Sequence, residues 1–273
     1  MKSSIRTQIF VLVILVNISF GSMARSAVIV SHTGNADPTG ENFGAFQTFG
    51  GVEGIDQTHG SSVGNDAWNI NTTPGTDNHY GFYERAHSPA ELADLSDPAN
   101  AVVFTTTFKI LVDETRDANG SFAVGAAFSI GSIATNVNNE WLFLMGLNST
   151  DDLIIRPFGG SPMTFANGLG TFHTLRLEDL DADDVNIGLT GLQRDFDVYV
   201  DNVFQFTSVG AGGTASRLFF GEASGSEAQA TSVDWSSFRL ETIPVHEPSA
   251  AILFGLGTVG TCRLARRKRV SGS

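Results

Sequence analysis

The sequence predicts an all-β fold, a sandwich of two antiparallel sheets, and three observations lead to that prediction. Between Val28 and Glu241 no long segment repeats apolar residues at helical spacing, and only residues 89–95 suit one or two helical turns. The chain of 273 residues contains 21 Phe and 30 Gly, a composition that favours short strands joined by turns. Strand-like segments recur at a spacing of about 8–12 residues. They are residues 102–111, 122–130, 141–147, 153–158, 172–178, 196–200, 203–206, 217–220 and 233–240.

Alternation of apolar and polar residues assigns faces to two of these strands. Side chains at every second position of a strand share one face, so the apolar set should point into the core. We expect Arg176, Glu178 and Arg239 to face outward. The expected inward set is His173, Leu175, Leu177, Phe238 and Leu240. Asp201 and Asn202 lie between two strand-like segments and predict a tight hairpin.

Residues 33–81 differ from the rest of the body in composition. They are rich in Gly, Asn and Thr, which are common in turns and loops. We predict long loops and short edge strands of the same domain for this stretch.

Acidic residues are confined to the middle of the chain. All 29 Asp and Glu lie from Asp37 to Glu247, where only eight of the 16 Lys and Arg are found, giving this segment a net charge of −21. Such a surface repels nucleic acid and anionic lipid, so we predict no nucleic-acid partner.

The first 26 residues have the layout of a secretory signal peptide. Lys2 and Arg6 form a positive start, an apolar run extends over residues 9–20, and small residues follow. Cleavage is expected after Ala24 or Ser26. The sequence therefore predicts an N-terminal signal helix and export across the inner membrane.

The last 30 residues, 244–273, form a three-part tail. An apolar, Gly-rich helix is predicted over residues 250–262, and a basic cluster that stays cytoplasmic follows it. The motif before the helix is His246, Glu247, Pro248 and Ser249, and the basic cluster is Arg263, Arg266, Arg267, Lys268 and Arg269.

This tail resembles the PEP-CTERM sorting signal of Gram-negative bacteria that make extracellular polysaccharide, with His246 where the family usually has Pro. The resemblance implies an exosortase-like processing partner and a location at the cell surface or outside the cell. Without processing, the protein would remain anchored in the inner membrane and face the periplasm. An ordinary C-terminal membrane anchor is the alternative.

The body, residues 27–243, resembles the concanavalin A-like jelly roll of the laminin-G group. The resemblance rests on residues 141–146, 172–177, 196–202 and 233–239. It implies a jelly-roll sandwich and, as in many members, binding of carbohydrate or calcium.

The densest acidic cluster, residues 178–184, places Asp179, Asp181 and Asp183 at alternate positions. Paired Glu residues of the kind that glycoside hydrolases of this fold use are missing, so we assign no catalytic residue. Oxygen ligands at this spacing suit Ca²⁺, which makes a calcium site one interpretation and a solvated acidic loop the other.

Aromatic residues offer one further candidate. Trp141 and Trp235 lie within strand patterns, which predicts core packing. Trp68 lies among Asn65, Asp66, Asn69 and Asn71, so we predict that it faces a ligand.

Taken together, these features predict an exported, non-catalytic surface or extracellular-matrix protein whose lectin-like domain associates with polysaccharide. Two alternatives remain open, a secreted glycan hydrolase or lyase on the same fold and a structural envelope protein without a small ligand. No cofactor is predicted apart from the candidate Ca²⁺.

Overall fold

Two antiparallel β-sheets make up most of the described part of the chain. The computed structural model describes residues 26–45, 47–49, 55–62, 65–72, 80–97, 99–113, 124–129, 138–157, 160–180, 194–208, 211–212, 217–222 and 231–245.

Sixteen strands and one α-helix are seen in these residues, together with a short 3-10 helix at Pro38–Glu41. The helix α1 is Pro89–Ser96. The strands are β1 (Ala27–His32), β2 (Gln47–Phe49), β3 (Ile55–Ser62), β4 (Asn65–Thr72), β5 (Tyr80–Ala86), β6 (Asn100–Asp113), β7 (Val124–Ser129), β8 (Asn138–Leu147), β9 (Leu153–Pro157), β10 (Met163–Phe165), β11 (His173–Asp179), β12 (Phe196–Val200), β13 (Val203–Ser208), β14 (Ala211–Gly212), β15 (Arg217–Glu222) and β16 (Thr231–Pro244).

Each sheet contains eight strands. In the first sheet the order is β13-β12-β11-β6-β16-β4-β3, and β1 also pairs with β16. In the second sheet the order is β10-β9-β8-β7-β15-β5-β2, and β14 also pairs with β8. The chain crosses repeatedly between the sheets, and the long strands β6 and β16 pair along almost their whole length at the centre of the first one.

The core lies between the two sheets and is rich in aromatic rings. Phe220 of β15 contacts Trp235 and Phe238 of β16, with ring centroids 5.2 and 5.1 Å apart. At the other end, Trp141 of β8 contacts Phe196 of β12 at 4.6 Å. Because these pairs join residues of opposite sheets, the architecture is a sandwich, as predicted. Core packing of Trp141 and Trp235 is also confirmed, since both are buried.

Most of the predicted elements are confirmed. Every strand-like segment named from the sequence coincides with a strand, and residues 89–95 lie within α1. Ser88 and Glu91 form a capping box at the start of that helix, and Pro89 occupies its first turn. The predicted faces of β11 and β16 are also confirmed, because the five expected inward side chains are buried.

The prediction for residues 33–81 is wrong in one respect. We expected loops and short edge strands, but β4 is an interior strand of eight residues between β16 and β3. Its Asn residues alternate with Trp68 and Ile70, whose side chains enter the core. Packing against β16 therefore outweighs the weak strand propensity of this sequence.

The predicted signal peptide and sorting tail lie outside the described residues, apart from Ser26 and the first two residues of the tail, 244 and 245. Within the described ranges, no helix has both the length and the apolar character needed to cross a membrane. Of the predicted body, β1 begins at Ala27 and β16 ends at Pro244.

Candidate functional site

The outer face of the first sheet, opposite the core, carries a continuous row of side chains that belong to six adjacent strands. The register pairs Phe204 with Tyr199, Tyr199 with Arg176, and Arg176 with Thr105. It then pairs Thr105 with Arg239 and Arg239 with Ser31. We call these six residues the outer row. Five strand spacings give the row a length of about 24 Å.

The free end of the outer row is aromatic. Phe204 lies on the edge strand β13 and is 51% exposed. Its ring lies 5.7 Å from that of Tyr199 in an edge-to-face arrangement. On the other side of Tyr199, the guanidinium of Arg176 lies 4.2 Å from the ring centroid, the geometry of a cation–π contact. Three neighbouring strands thus place two aromatic rings and one guanidinium side by side.

Each arginine of the outer row is paired with a glutamate two residues further along its own strand. Arg176 forms an ion pair with Glu178, and Arg239 forms one with Glu241 at 2.6 Å. A hydrogen bond to the Glu178 carboxylate raises the pKa of the Tyr199 hydroxyl, and burial and the charges of Glu178 and Asp197 raise it further. The face therefore presents many hydrogen-bonding groups but little net charge.

A buried polar cluster lies on the same face, closer to β4. Lys109 of β6 and Asp234 of β16 form an ion pair at 3.1 Å, and the Asn69 amide donates to Asp234 Oδ1 at 2.8 Å. The Lys109 ammonium also lies 4.6 Å from the centroid of the Phe172 ring. Lys109 is only 8% exposed and Asp234 only 3%, although outward-facing charges on a sheet are usually solvated.

Two threonines connect the outer row and the buried cluster. Thr107 of β6 and Thr174 of β11 are register partners, and their hydroxyl oxygens lie 3.1 Å apart. The outer face is therefore aromatic and exposed at β13, carries ion pairs on β11 and β16, and is polar but buried near β4. Accessible hydrogen-bond donors and acceptors occur along the outer row, which suits a ligand rich in hydroxyl groups.

Asp179, one of the three candidate calcium ligands, has a structural partner. It lies buried at the end of β11 and forms an ion pair with Arg194. The same guanidinium donates to the carbonyls of Leu95, Asp97 and Asn100 at 2.8–3.0 Å. Calcium would have to compete with Arg194 for Asp179. Asp181 and Asp183 lie outside the described residues, and no group of three His, Cys, Asp or Glu in the described ranges is arranged to hold a metal ion.

Trp68 does not face a ligand as we predicted. It is 9% exposed and belongs to the core between the sheets, where its ring lies 6.3 Å from that of Tyr83. The surrounding Asn residues suggested a polar site, but Asn69 points to the opposite face of β4, where it contacts Asp234. Strand alternation separates the two neighbours, because adjacent side chains point to opposite sides of a sheet.

Sequence reasoning identified Arg176 and Arg239 as outward-facing but did not recognise them as parts of one row. The local signal was present in the alternation of β11 and β16. The missing information was the register, which joins residues as far apart in the chain as Ser31 and Arg239.

Comparisons with known proteins gave structural similarity alone. No family model matches the sequence, and no curated protein matches it. Among solved structures, alginate lyase vAL-1 from Chlorella virus is 10% identical with a TM-score of 0.45, over 79% of this chain and 99% of that one. Alginate lyase Aly36B is 7% identical with a TM-score of 0.39, over 70% and 88%.

The binding domain of botulinum neurotoxin DC, solved in complex with SialylT, is a further similar structure. It is 10% identical with a TM-score of 0.42, over 78% of this chain. The chain spans about half of that structure, 47% of its length.

Proposed function

We propose that this chain is an exported, non-catalytic protein whose lectin-like, concanavalin A-like sandwich associates with polysaccharide at the cell surface or in the extracellular matrix. The observation that carries the proposal is the outer face of the first sheet. Its side chains make no contribution to the core between the sheets, yet they form an ordered array of aromatic rings, guanidinium groups, carboxylates and hydroxyls. Binding sites for sugars need this combination, because a sugar ring has both an apolar C–H face and a rim of hydroxyl groups.

A binding role fits the outer row better than a catalytic one. General acid–base chemistry on a glycosidic bond needs two carboxyl groups about 5–10 Å apart that are free to exchange protons. On the outer face, Glu178 and Glu241 each form an ion pair with an arginine, which favours a hydrogen-bonding role for both carboxylates.

The proposal is tested by retention of the full chain on immobilised polysaccharides. We expect the wild-type protein to be retained by at least one polymer, and a Tyr199→Ala/Phe204→Ala variant with unchanged thermal unfolding to be retained less. Equal retention of the two proteins would place binding elsewhere, and no retention on any polymer would favour the structural envelope role.

A glycan hydrolase or lyase is a second candidate, and one observation favours it. The Lys109–Asp234 ion pair is buried on the proposed binding face, where an amine and a carboxylate 3.1 Å apart offer a candidate proton donor and acceptor. Release of sugar or of unsaturated ends from a polymer by the wild type, lost in Lys109→Met, would establish the enzyme. The matched control is Arg217→Met, whose ion pair with Glu84 lies on the second sheet, away from the outer row.

Export and sorting are part of the proposal. N-terminal sequencing of the mature protein from a Gram-negative host with an exosortase should begin at Arg25 or Ala27. Its mass should show loss of the apolar segment after the Glu247–Pro248 motif. An intact chain in the inner membrane would contradict processing and support a simple anchor.

A calcium site is also part of the proposal. Asp181 and Asp183 would be its ligands, and Asp179 would join them only after release from Arg194.

A further inference from the structure

We propose that the outer row binds a neutral glycan chain that crosses the strands, with one sugar ring packed against Tyr199 and Phe204. This inference rests on the proposed function and adds to it the chemical class of the ligand and its orientation.

The aromatic end of the row is the first argument. Phe204 is half exposed and Tyr199 is partly exposed, and both lie on the outer face because they are register partners. Exposed aromatic pairs on a sheet are costly unless a partner covers them, since each ring exposes a large apolar area. The C–H face of a pyranose ring matches such a surface in size and polarity.

The charge balance of the face is the second argument. Six basic residues of the described ranges contact carboxylates, and both arginines of the outer row are among them. These residues are Arg85, Lys109, Arg176, Arg194, Arg217 and Arg239. A polyanion such as a uronate polymer would meet paired guanidinium groups and a segment, from Asp37 to Glu247, with a net charge of −21, and it would be repelled. A neutral polymer meets no such penalty.

The geometry of the paired side chains is the third argument. The ion pairs Arg176–Glu178 and Arg239–Glu241 each place planar donors next to planar acceptors. Neighbouring hydroxyl groups of a sugar can donate to the carboxylate and accept from the guanidinium at once. The two pairs lie on β11 and β16, with β6 between them, so they are about 10 Å apart across the sheet. Together with the rings on β12 and β13, they form a line perpendicular to the strands.

The experiment compares neutral with acidic polymers on the full chain. Galactomannan and laminarin serve as neutral probes, and alginate and polygalacturonate as acidic ones, at low and high NaCl. We expect retention on a neutral polymer that does not change with NaCl, because no ion pairs with the ligand form. Phe204→Ala should weaken it about tenfold, and Tyr199→Ala should weaken it similarly, whereas Tyr199→Phe keeps the ring and should retain most of the affinity.

Val203→Ala is the matched control. Val203 is a neighbouring apolar residue on β13 that is 62% exposed, but its register partner is the inward-facing Val200. Its truncation should change retention by less than about twofold. Preference for the acidic polymers would overturn the assignment of a neutral glycan to the outer row. Equal effects of Phe204→Ala and Val203→Ala would overturn it too. Either result would leave polysaccharide association intact. No retention on either class would overturn both.

Discussion

Tyr83 lies at the interface between the two sheets, where its ring stacks on Phe220 at 5.6 Å and contacts Trp68 edge-to-face. Only 1% of the residue is exposed. Burial raises the pKa of its hydroxyl from 10.0 to about 12; a hydrogen bond with Trp68 acts in the opposite direction, and the Asp37 charge adds slightly to the rise. Because the folded core disfavours the ionised form of Tyr83, the stability of the protein depends on pH through this group.

The free energy of unfolding should fall between pH 10 and pH 12. Tyr83 ionises near pH 10 in the unfolded chain but near pH 12 in the folded one, so its contribution is complete below pH 10 and is lost as pH rises through 12. The loss should be about 2–3 kcal/mol. Urea denaturation across this range measures it, with Tyr83→Phe as the control. If Tyr83→Phe loses as much stability as the wild type between pH 10 and pH 12, the loss does not come from Tyr83.

Arg194 holds three segments of the chain together. Its guanidinium contacts Asp179 at the end of β11, carbonyls at the end of α1, and the first carbonyl of β6. Both charged side chains are almost completely buried, so removal of one leaves the other in a poorly solvated position.

Arg194→Met should destabilise the protein by roughly 3–5 kcal/mol, because the Asp179 carboxylate loses its cation in the interior. The matched variant Arg239→Met removes an arginine whose side chain is 47% exposed and should cost about 1 kcal/mol or less. Chemical denaturation of the two variants tests this difference. An equal loss of unfolding free energy in the two variants would show that the Arg194–Asp179 pair is not a buried structural contact.

At the scale of the element, the β12–β13 hairpin is fixed by its turn. Asp201 and Asn202 both have positive φ, 51° and 65°, as a two-residue type I′ turn requires. The Asp201 carboxylate also accepts from the Thr174 amide at 2.8 Å and contacts His173 Nδ1 at 2.8 Å. These contacts tie the hairpin to β11 and position Tyr199 and Phe204 beside Arg176.

Asp201→Ala should destabilise the protein by about 2 kcal/mol, because it loses both carboxylate contacts and places alanine in a left-handed conformation. Asn202→Gly keeps the contacts and relieves the backbone, so it should be neutral or stabilising by up to about 1 kcal/mol. Thermal unfolding of the two variants measures the contrast. Equal destabilisation by both substitutions would show that the backbone alone, and not the carboxylate, fixes the turn.

Strands with clear alternation were predictable, and β4 was not. In β11 Leu175 and Leu177 alternate with Arg176 and Glu178, and in the second half of β16 Phe238 and Leu240 flank Arg239, so local pattern alone assigned the faces of these two segments. The sequence of β4 alternates too, but its outer face is buried by contacts between Asn69 and residues more than 160 positions away. No local pattern contains those partners, and Trp68 was therefore assigned to the wrong environment.

For the whole molecule, the sandwich could be predicted and the candidate site could not. Length, turn spacing and the absence of helical periodicity indicate two sheets without any knowledge of pairing. The outer row depends on the register of six strands, and a shift of one residue in any of them would move that side chain to the other face. The row is therefore a property of the assembled sheet, and its residues show no shared motif in the sequence.

Hydroxyl-radical footprinting of the full chain with a bound polysaccharide locates the ligand on the protein surface. The proposed site is the outer face of the first sheet, so oxidation of Tyr199 and Phe204 should decrease when a retained polymer is added. Met163 and Phe165 of β10, an edge strand of the second sheet, should react as before. Protection of β10 with no change at Tyr199 and Phe204 would contradict the account.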